Sequence, residues 1–148
     1  MGKIPGEATE RVLLRSLQRD SERSLRELAE ETGLPVSTVH EKVKRLEREG
    51  VIKGYRAVLD AKKLGFPATG FILVSVSGEK AVEKIARLPG VQEAHLISGD
   101  WSLLVKAKSA SVEGLGKLAE RIAAVPGVSK AATLVVFETV KEETALDL

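Results

Sequence analysis

Apolar positions recur at helical spacing through the first third of the chain and at alternating spacing through most of the remainder. From Glu7 to Arg19, Val12, Leu13, Leu14 and Leu17 predict one inward-facing helical side. Ser24 to Gly50 then predicts two short helices around a tight turn. Ser24 and Glu27 have the spacing of a capping box, so a helix can start there. Leu25, Leu28 and Ala29 share a face, and Ala29 is small enough for a close helix crossing. Gly33 suits the left-handed conformation that ends a helix, with Leu34 packing back on it. Pro35 pre-sets the first turn of the next helix, in which Val39, Val43 and Leu46 form one stripe. Val51–Asp60 changes to an extended pattern through Ile52, Val58 and Leu59, expected as a wing strand or a linker strand. Gly65-Phe66-Pro67 breaks the pattern. The domain division is set at residues 1–60 and 61–148, with Met1–Gly6 as a loose start.

The second half alternates between the two periods. Strands are predicted at 69–77, 91–98, 101–108 and 128–140, with helices at 79–88 and 111–125. Gly99-Asp100 is a hairpin-turn signal, and Trp101, Leu103, Val105 and Ala107 share one strand face. Leu88-Pro89-Gly90-Val91 recurs as Val125-Pro126-Gly127-Val128, each time between a helix and a strand. Strand–helix–strand, twice, is a split βαβ. The fold class is therefore α+β. It comprises an N-terminal three-helix, winged-helix-like helix-turn-helix domain, a linker strand, and a C-terminal ferredoxin-like βαββαβ domain. Two helices cover one sheet face and leave an apolar one open. A homodimer with two sheets face to face is the expected solution, against a monomer with a greasy face.

Charge and residue type then narrow the chemistry. The chain has 148 residues and a net charge of only +2, but Glu41–Arg56 is basic on balance and Lys141–Leu148 acidic. Around the apolar stripe of the second helix of the pair stand Ser37, Thr38, His40, Glu41, Lys42, Lys44, Arg45 and Arg48. A stripe that fixes a helix to its own domain, under a polar and basic face, is what a recognition helix needs. Ser37, Thr38 and His40, near its start, are the candidates for base edges. Lys42, Lys44, Arg45 and Arg48 are the candidates for phosphates, with Arg45 able to grip a guanine. The alternative is a plain amphipathic hairpin with a solvated face. There are no cysteines, which excludes disulfides, thiolate zinc sites and cysteine nucleophiles. His40 and His95 belong to no metal-ligand spacing or catalytic triad. No phosphate-binding glycine loop is present. The aromatics Phe71, Trp101 and Phe137 make no RNA-stacking run. No catalytic residue, metal or cofactor is assigned. The N-terminus has no signal-peptide core and no apolar run reaches membrane length, so a soluble, cytoplasmic protein without membrane contact is expected.

Several short runs together carry a resemblance. Leu28-Ala29, Gly33-Leu34, Ser37-Thr38-Val39, Val43-Lys44-Arg45-Leu46-Glu47, Glu49-Gly50-Val51-Ile52-Lys53-Gly54-Tyr55 and Lys63-Leu64-Gly65 are such runs. With the order of elements, they make nearly the whole chain resemble the Lrp/AsnC (feast/famine) transcriptional regulators. The resemblance implies a sequence-specific regulator that binds double-stranded DNA, a homodimer, and further assembly to octamers or related rings. It implies an amino acid or related small effector at the turn formed by Ser98, Gly99, Asp100, Trp101 and Ser102; a plain structural turn is the alternative. The chain departs from the family pattern in three places. Ile4–Glu10 lacks the L-D-x-x-D start, Pro35 replaces a Ser, and Ser102 stands where the family often has an Asp that partners an ammonium. Weak amino-acid binding follows from the last. The rival readings are an enzyme of the same architecture, similar to haem-pathway decarboxylases, and a sensing module that no longer binds DNA.

Overall fold

A computed structural model describes residues 7–148. The expected loose start, and residues 4–6 of the stretch that lacks L-D-x-x-D, lie outside the described residues. Described residues up to Val58, with Lys141–Leu148, form one compact unit, and Leu59–Val140 form a second.

The first unit holds α1 (Ala8–Arg19), α2 (Leu25–Thr32) and α3 (Val36–Arg48). The capping box at α2 is present in full: the Ser24 hydroxyl accepts from the Glu27 N–H, and the Glu27 carboxylate accepts from the Ser24 N–H at 2.8 Å. These bonds favour the ionised form and hold the Glu27 carboxyl below its usual range. Gly33 closes α2 at φ 69°, a conformation that would strain a side chain, and Pro35 is the N-cap of α3. Leu13, Leu28, Ala29, Val39 and Val43 form the core, with Leu17, Leu25, Leu34 and Ile52 packed against it. On α1 the stripe is narrower than the pattern suggests. Leu13 is buried and Val12, Leu14 and Leu17 are half-buried, whereas Glu10 and Ser16 are buried as well.

One expectation fails in this unit. Val51–Asp60 forms neither a wing strand nor a linker strand. Ile52 is tied by its N–H to the Leu46 carbonyl and rests on the helical core. Beyond it the backbone has no neighbouring strand among the described residues, and Val58 and Leu59 are exposed. A strand needs a partner for its N–H and C=O groups. The tail Lys141–Leu148 groups with the helices by its contacts. Gln18 of α1 donates to the Leu146 carbonyl at 3.0 Å and accepts from its N–H at 2.7 Å; Arg15 donates to the Leu148 carbonyl.

The second unit contains β1 (Ala68–Val76), α4 (Glu79–Ala86), β2 (Val91–Leu96), β3 (Leu103–Ser109), α5 (Val112–Ala123) and β4 (Val128–Val135). The sheet order is β2-β3-β1-β4, with every pair antiparallel. This is the expected ferredoxin-like arrangement. Ile72, Val74, Leu103, Val105 and Ala107 meet Ala81 and Ile85 of α4 and Leu115, Leu118 and Ile122 of α5. Removing such a side chain from water contributes about 1.5–3 kcal/mol each. The two Pro-Gly repeats are equivalent turns: Val91 N–H reaches Leu88 O and Val128 N–H reaches Val125 O, with Gly90 and Gly127 at φ 94° and 104°. Gly127 has a second reason to be glycine, because a Cβ there would lie 2.5 Å from the Ser77 carbonyl oxygen.

β4 stops at Val135, short of the expected 140. Its neighbour β1 begins at Ala68, so pairing ends with Gly70 opposite Val135 and the Val136 N–H on the Thr69 carbonyl. β3 begins at Leu103 instead of Trp101, although the Ser102 backbone still donates to Val74 O and accepts from the Ile97 N–H. Phe71, Leu73, Leu104, Ala132 and Leu134 lie on the sheet face away from the helices, and Lys106, Glu93 and His95 flank them.

Candidate nucleic-acid interface and turn cleft

The buried stripe of α3 is Val39, Val43 and Leu46. A helix turns 100° per residue, so the side opposite that stripe carries Ser37, Glu41, Lys44 and Arg48, at i, i+4, i+7 and i+11. All four are exposed. His40, also exposed, and half-buried Thr38 border this stripe on either side.

Lys42 and Arg45 do not join it. Glu10 of α1 is 4% exposed, and a buried carboxylate needs a cation. Arg45 forms an ion pair with Glu10, and Lys42 lies 2.7 Å from Glu7 and 3.8 Å from Glu10. Glu49 approaches Arg45 at 3.9 Å. The four cations expected to act together therefore divide into two groups. Lys42 and Arg45 hold α3 on α1, so Arg45 is not positioned as a guanine reader. Lys44 and Arg48 face outward.

Lys44 has a local partner. Its ammonium donates to Glu47 at 3.0 Å, and the Tyr55 hydroxyl donates to the other Glu47 oxygen, also at 3.0 Å. The Glu47 carboxyl is held below its usual range, first by Lys44 and then by Tyr55. The pair ties the segment after α3 to the helix, and Lys53 and Arg56 are exposed on that segment.

The second candidate site is an open cleft of about 420 Å³, lined by the predicted turn residues Ser98, Gly99, Asp100, Trp101 and Ser102, and by Ser75, Ser77, Gly127 and Ser129. The turn residues thus share one site. They do not present equal chemistry to it. The Ser102 oxygen accepts from the Val76 N–H at 2.8 Å, and its proton is shared between Val74 O at 3.2 Å and Val76 O at 3.1 Å. This hydroxyl stitches the end of β3 to β1. An Asp at position 102 would set its negative charge against two carbonyl oxygens. Asp100 is exposed on the turn, and the Gly99 backbone is open, with nothing within 4 Å of where a Cβ would lie. The ammonium of Lys130 on β4 sits 4.2 Å from the centroid of the Trp101 ring. That is a cation–π distance, which sequence reasoning missed because the strands' register brings the two together. His95 is an exposed strand residue 3.1 Å from Glu93. Among the described residues no group of three or more His, Asp or Glu is placed to hold a metal, and no helix is long and apolar enough to cross a membrane.

Comparison with known proteins finds a match in each half of the chain. Residues 69–146 match the Lrp/AsnC ligand binding domain, and residues 7–53 match a winged helix-turn-helix DNA-binding domain. The chain is 34% identical over 149 residues to the HTH-type transcriptional regulator FL11 of Pyrococcus horikoshii, covering 99% of each. It is 34% identical over 142 residues to an uncharacterized HTH-type transcriptional regulator of Pyrococcus furiosus, covering 91% of this chain and 95% of that one. Among solved structures, the feast or famine regulatory protein from M. tuberculosis, complexed with L-methionine, is similar with a TM-score of 0.88 at 26% identity. That likeness covers 95% of this chain and 97% of the other.

Partial burial of the ring and then the Glu47 carboxylate push the Tyr55 hydroxyl from 10 up to about 12. The folded chain thus holds this proton more tightly than the unfolded chain does. The resulting stability is full below pH 10 and is lost as pH rises through about 12. Tyr55 is the single tyrosine, so an ultraviolet absorbance titration reads it directly. Its midpoint is expected near 12, and part of the way back toward 10 in Glu47→Gln, where burial persists without the charge.

Proposed function

We propose how this chain, which belongs to the Lrp/AsnC family of DNA-binding transcriptional regulators, meets its operator: the outward stripe of α3 enters the major groove. The observation that carries the reading is the sorting of α3's side chains, with Ser37, Glu41, Lys44 and Arg48 outward and the other two cations bound to α1. Residues at the start of a recognition helix reach base edges, and cations further along meet phosphates. Lys44 and Arg48 have the phosphate role, with Lys53 and Arg56 placed to add to it. The relatives with regulator names favour this over an enzyme of the same architecture.

Two copies of the chain pair through the open sheet face. Phe71, Leu73 and Leu104 are half-buried there within one chain, and Leu134 is half exposed. An apolar patch with a charged rim fits a second copy of itself. A twofold dimer carries two α3 helices, so the operator is a near-palindrome with half-sites about one helical turn, or a multiple of it, apart. Further assembly of dimers into octamers or related rings fits the family.

The turn cleft takes an amino acid or related effector. Support comes from the match to a ligand binding domain and from the relative complexed with L-methionine. Gly99 lets the backbone N–H groups of the turn approach a carboxylate. Asp100, and not Ser102, supplies the charge that an ammonium needs when it leaves water.

Four measurements test these assignments. Arg48→Ala is expected to reduce the slope of log affinity against log salt by about 2, one phosphate contact being lost from each α3 of the dimer. Arg45→Ala instead leaves buried Glu10 with only Lys42, 3.8 Å away, and lowers stability by about 1–3 kcal/mol in urea unfolding, with the salt slope unchanged. An unchanged slope in both Arg48→Ala and Lys44→Ala removes this stripe from the interface.

Sedimentation equilibrium is expected to show a dimer or a multiple of it at micromolar concentration, and a monomer there overturns the sheet-face pairing.

Trp101 is the single tryptophan and lines the cleft, so its fluorescence reports occupancy. Titration with the twenty amino acids is expected to give at least one saturable change, weakened about tenfold in Asp100→Asn by loss of a charge-assisted bond. Silence from all twenty assigns the effector to another class.

A further inference from the structure

Glu41 is an awkward residue to carry toward DNA. It stands in the middle of the outward stripe of α3, one turn after Ser37, one turn before Lys44 and two turns before Arg48. A carboxylate there faces the phosphates that the neighbouring cations must meet, and repulsion is costly unless something neutralises it. On a helix the neutralising partner comes from three or four residues away. Both such cations are engaged elsewhere. Arg45, four residues on, is ion-paired with Glu10, and Lys44, three residues on, is 3.0 Å from Glu47. The adjacent Lys42 is 2.7 Å from Glu7. Glu47 and Glu49 each have a cation within 4.0 Å. Among the described residues Glu41 is the carboxylate of α3 left without one.

An unmatched acceptor in a DNA-facing surface is compatible with binding when it is aimed at a donor on a base edge. The major groove presents two: the N4 amino group of cytosine and the N6 amino group of adenine. Adenine sets its N7 acceptor beside the amino group, where it repels the second oxygen of a carboxylate. Cytosine carries no acceptor beside its amino group in that groove. We infer that Glu41 reads a cytosine in each half-site, accepting from its N4 amino group. Its repulsion of phosphates at every other sequence then makes it a residue that sets specificity. The inference rests on α3 being the recognition helix and adds the base that one side chain selects.

The test is selection of bound duplexes from a random library by the full chain, with Glu41→Gln and Glu41→Ala in parallel. Glu41 is exposed and caps nothing, so both variants keep the fold. The unaltered chain is expected to enrich sites with cytosine favoured about tenfold at one position in each half-site. Glu41→Ala flattens that position alone. Glu41→Gln moves the preference there to adenine, whose N6 and N7 match a carboxamide's acceptor and donor. A different base at the affected position overturns the assignment. So does tighter binding of all sequences by Glu41→Ala with no position changed, which leaves Glu41 a repulsive charge only. If the unaltered chain enriches no site, the DNA reading itself fails, and the assignment fails with it.

Discussion

A carboxylate taken out of water must be matched by a cation, and that constraint on Glu10 governs what α3 can offer. Arg45 and Lys42 turn toward α1 to meet it. Had Glu10 been apolar, Arg45 would be free to swing outward, and only the exposed Glu7 would hold Lys42 to α1. The ion pair does not have to add much stability to matter, since an apolar pair of similar shape often serves equally well. What it fixes is which side of α3 faces its own domain. The outward stripe is then a short, mixed-charge surface instead of a basic one, suited more to choosing a sequence than to gripping any phosphate backbone.

Much of this unit was legible in the sequence, because its signals are local. The capping box at Ser24, the left-handed Gly33 and the Val39-Val43-Leu46 stripe each depend on neighbours within a turn or two, and each appears as expected. The partition of the cations was not legible. A helical wheel says which residues oppose the core but not which flank meets a neighbouring helix. The signal lay on α1, where Glu10 is three residues before Leu13, on the apolar stripe itself. A charged residue at a core position is a request for a partner, and Lys42 and Arg45, three residues apart on the facing helix, answer it.

The sheet domain divides along the same line. The alternation of β1 and β3 and the repeated Pro-Gly turns give the βαββαβ order without help from long-range contacts. Strand ends and side-chain destinations depend on the pairing register, which the chain does not state locally. β4 ends where β1 begins, and Val51–Asp60, apolar enough for a strand, has no partner to make it one. Ser102 shows the cost of reading a site position by type alone. Placed by resemblance as a ligand contact, its hydroxyl is occupied by the β1 backbone, while Lys130 arrives over Trp101 from a strand that sequence reasoning did not connect to the turn.

The antiparallel pairing of β1 with β4 has a thermodynamic consequence for the helices. Because Thr69 pairs with Val136, the chain enters and leaves the second unit at adjacent points. The tail that docks on Gln18 closes a loop beginning at Val58. With the second unit unfolded that loop is the whole of Leu59–Ala145; with it folded, the free chain is only roughly 20 residues. Closure entropy grows with the logarithm of length, so folding of the sheet domain favours tail docking by roughly 1 kcal/mol, without any contact between the two events. The sheet's first and last strands thus act as a clasp. Fraying at Thr69 and Val136 lengthens the loop and loosens the tail from α1, so the helical unit senses the integrity of its neighbour through chain entropy alone.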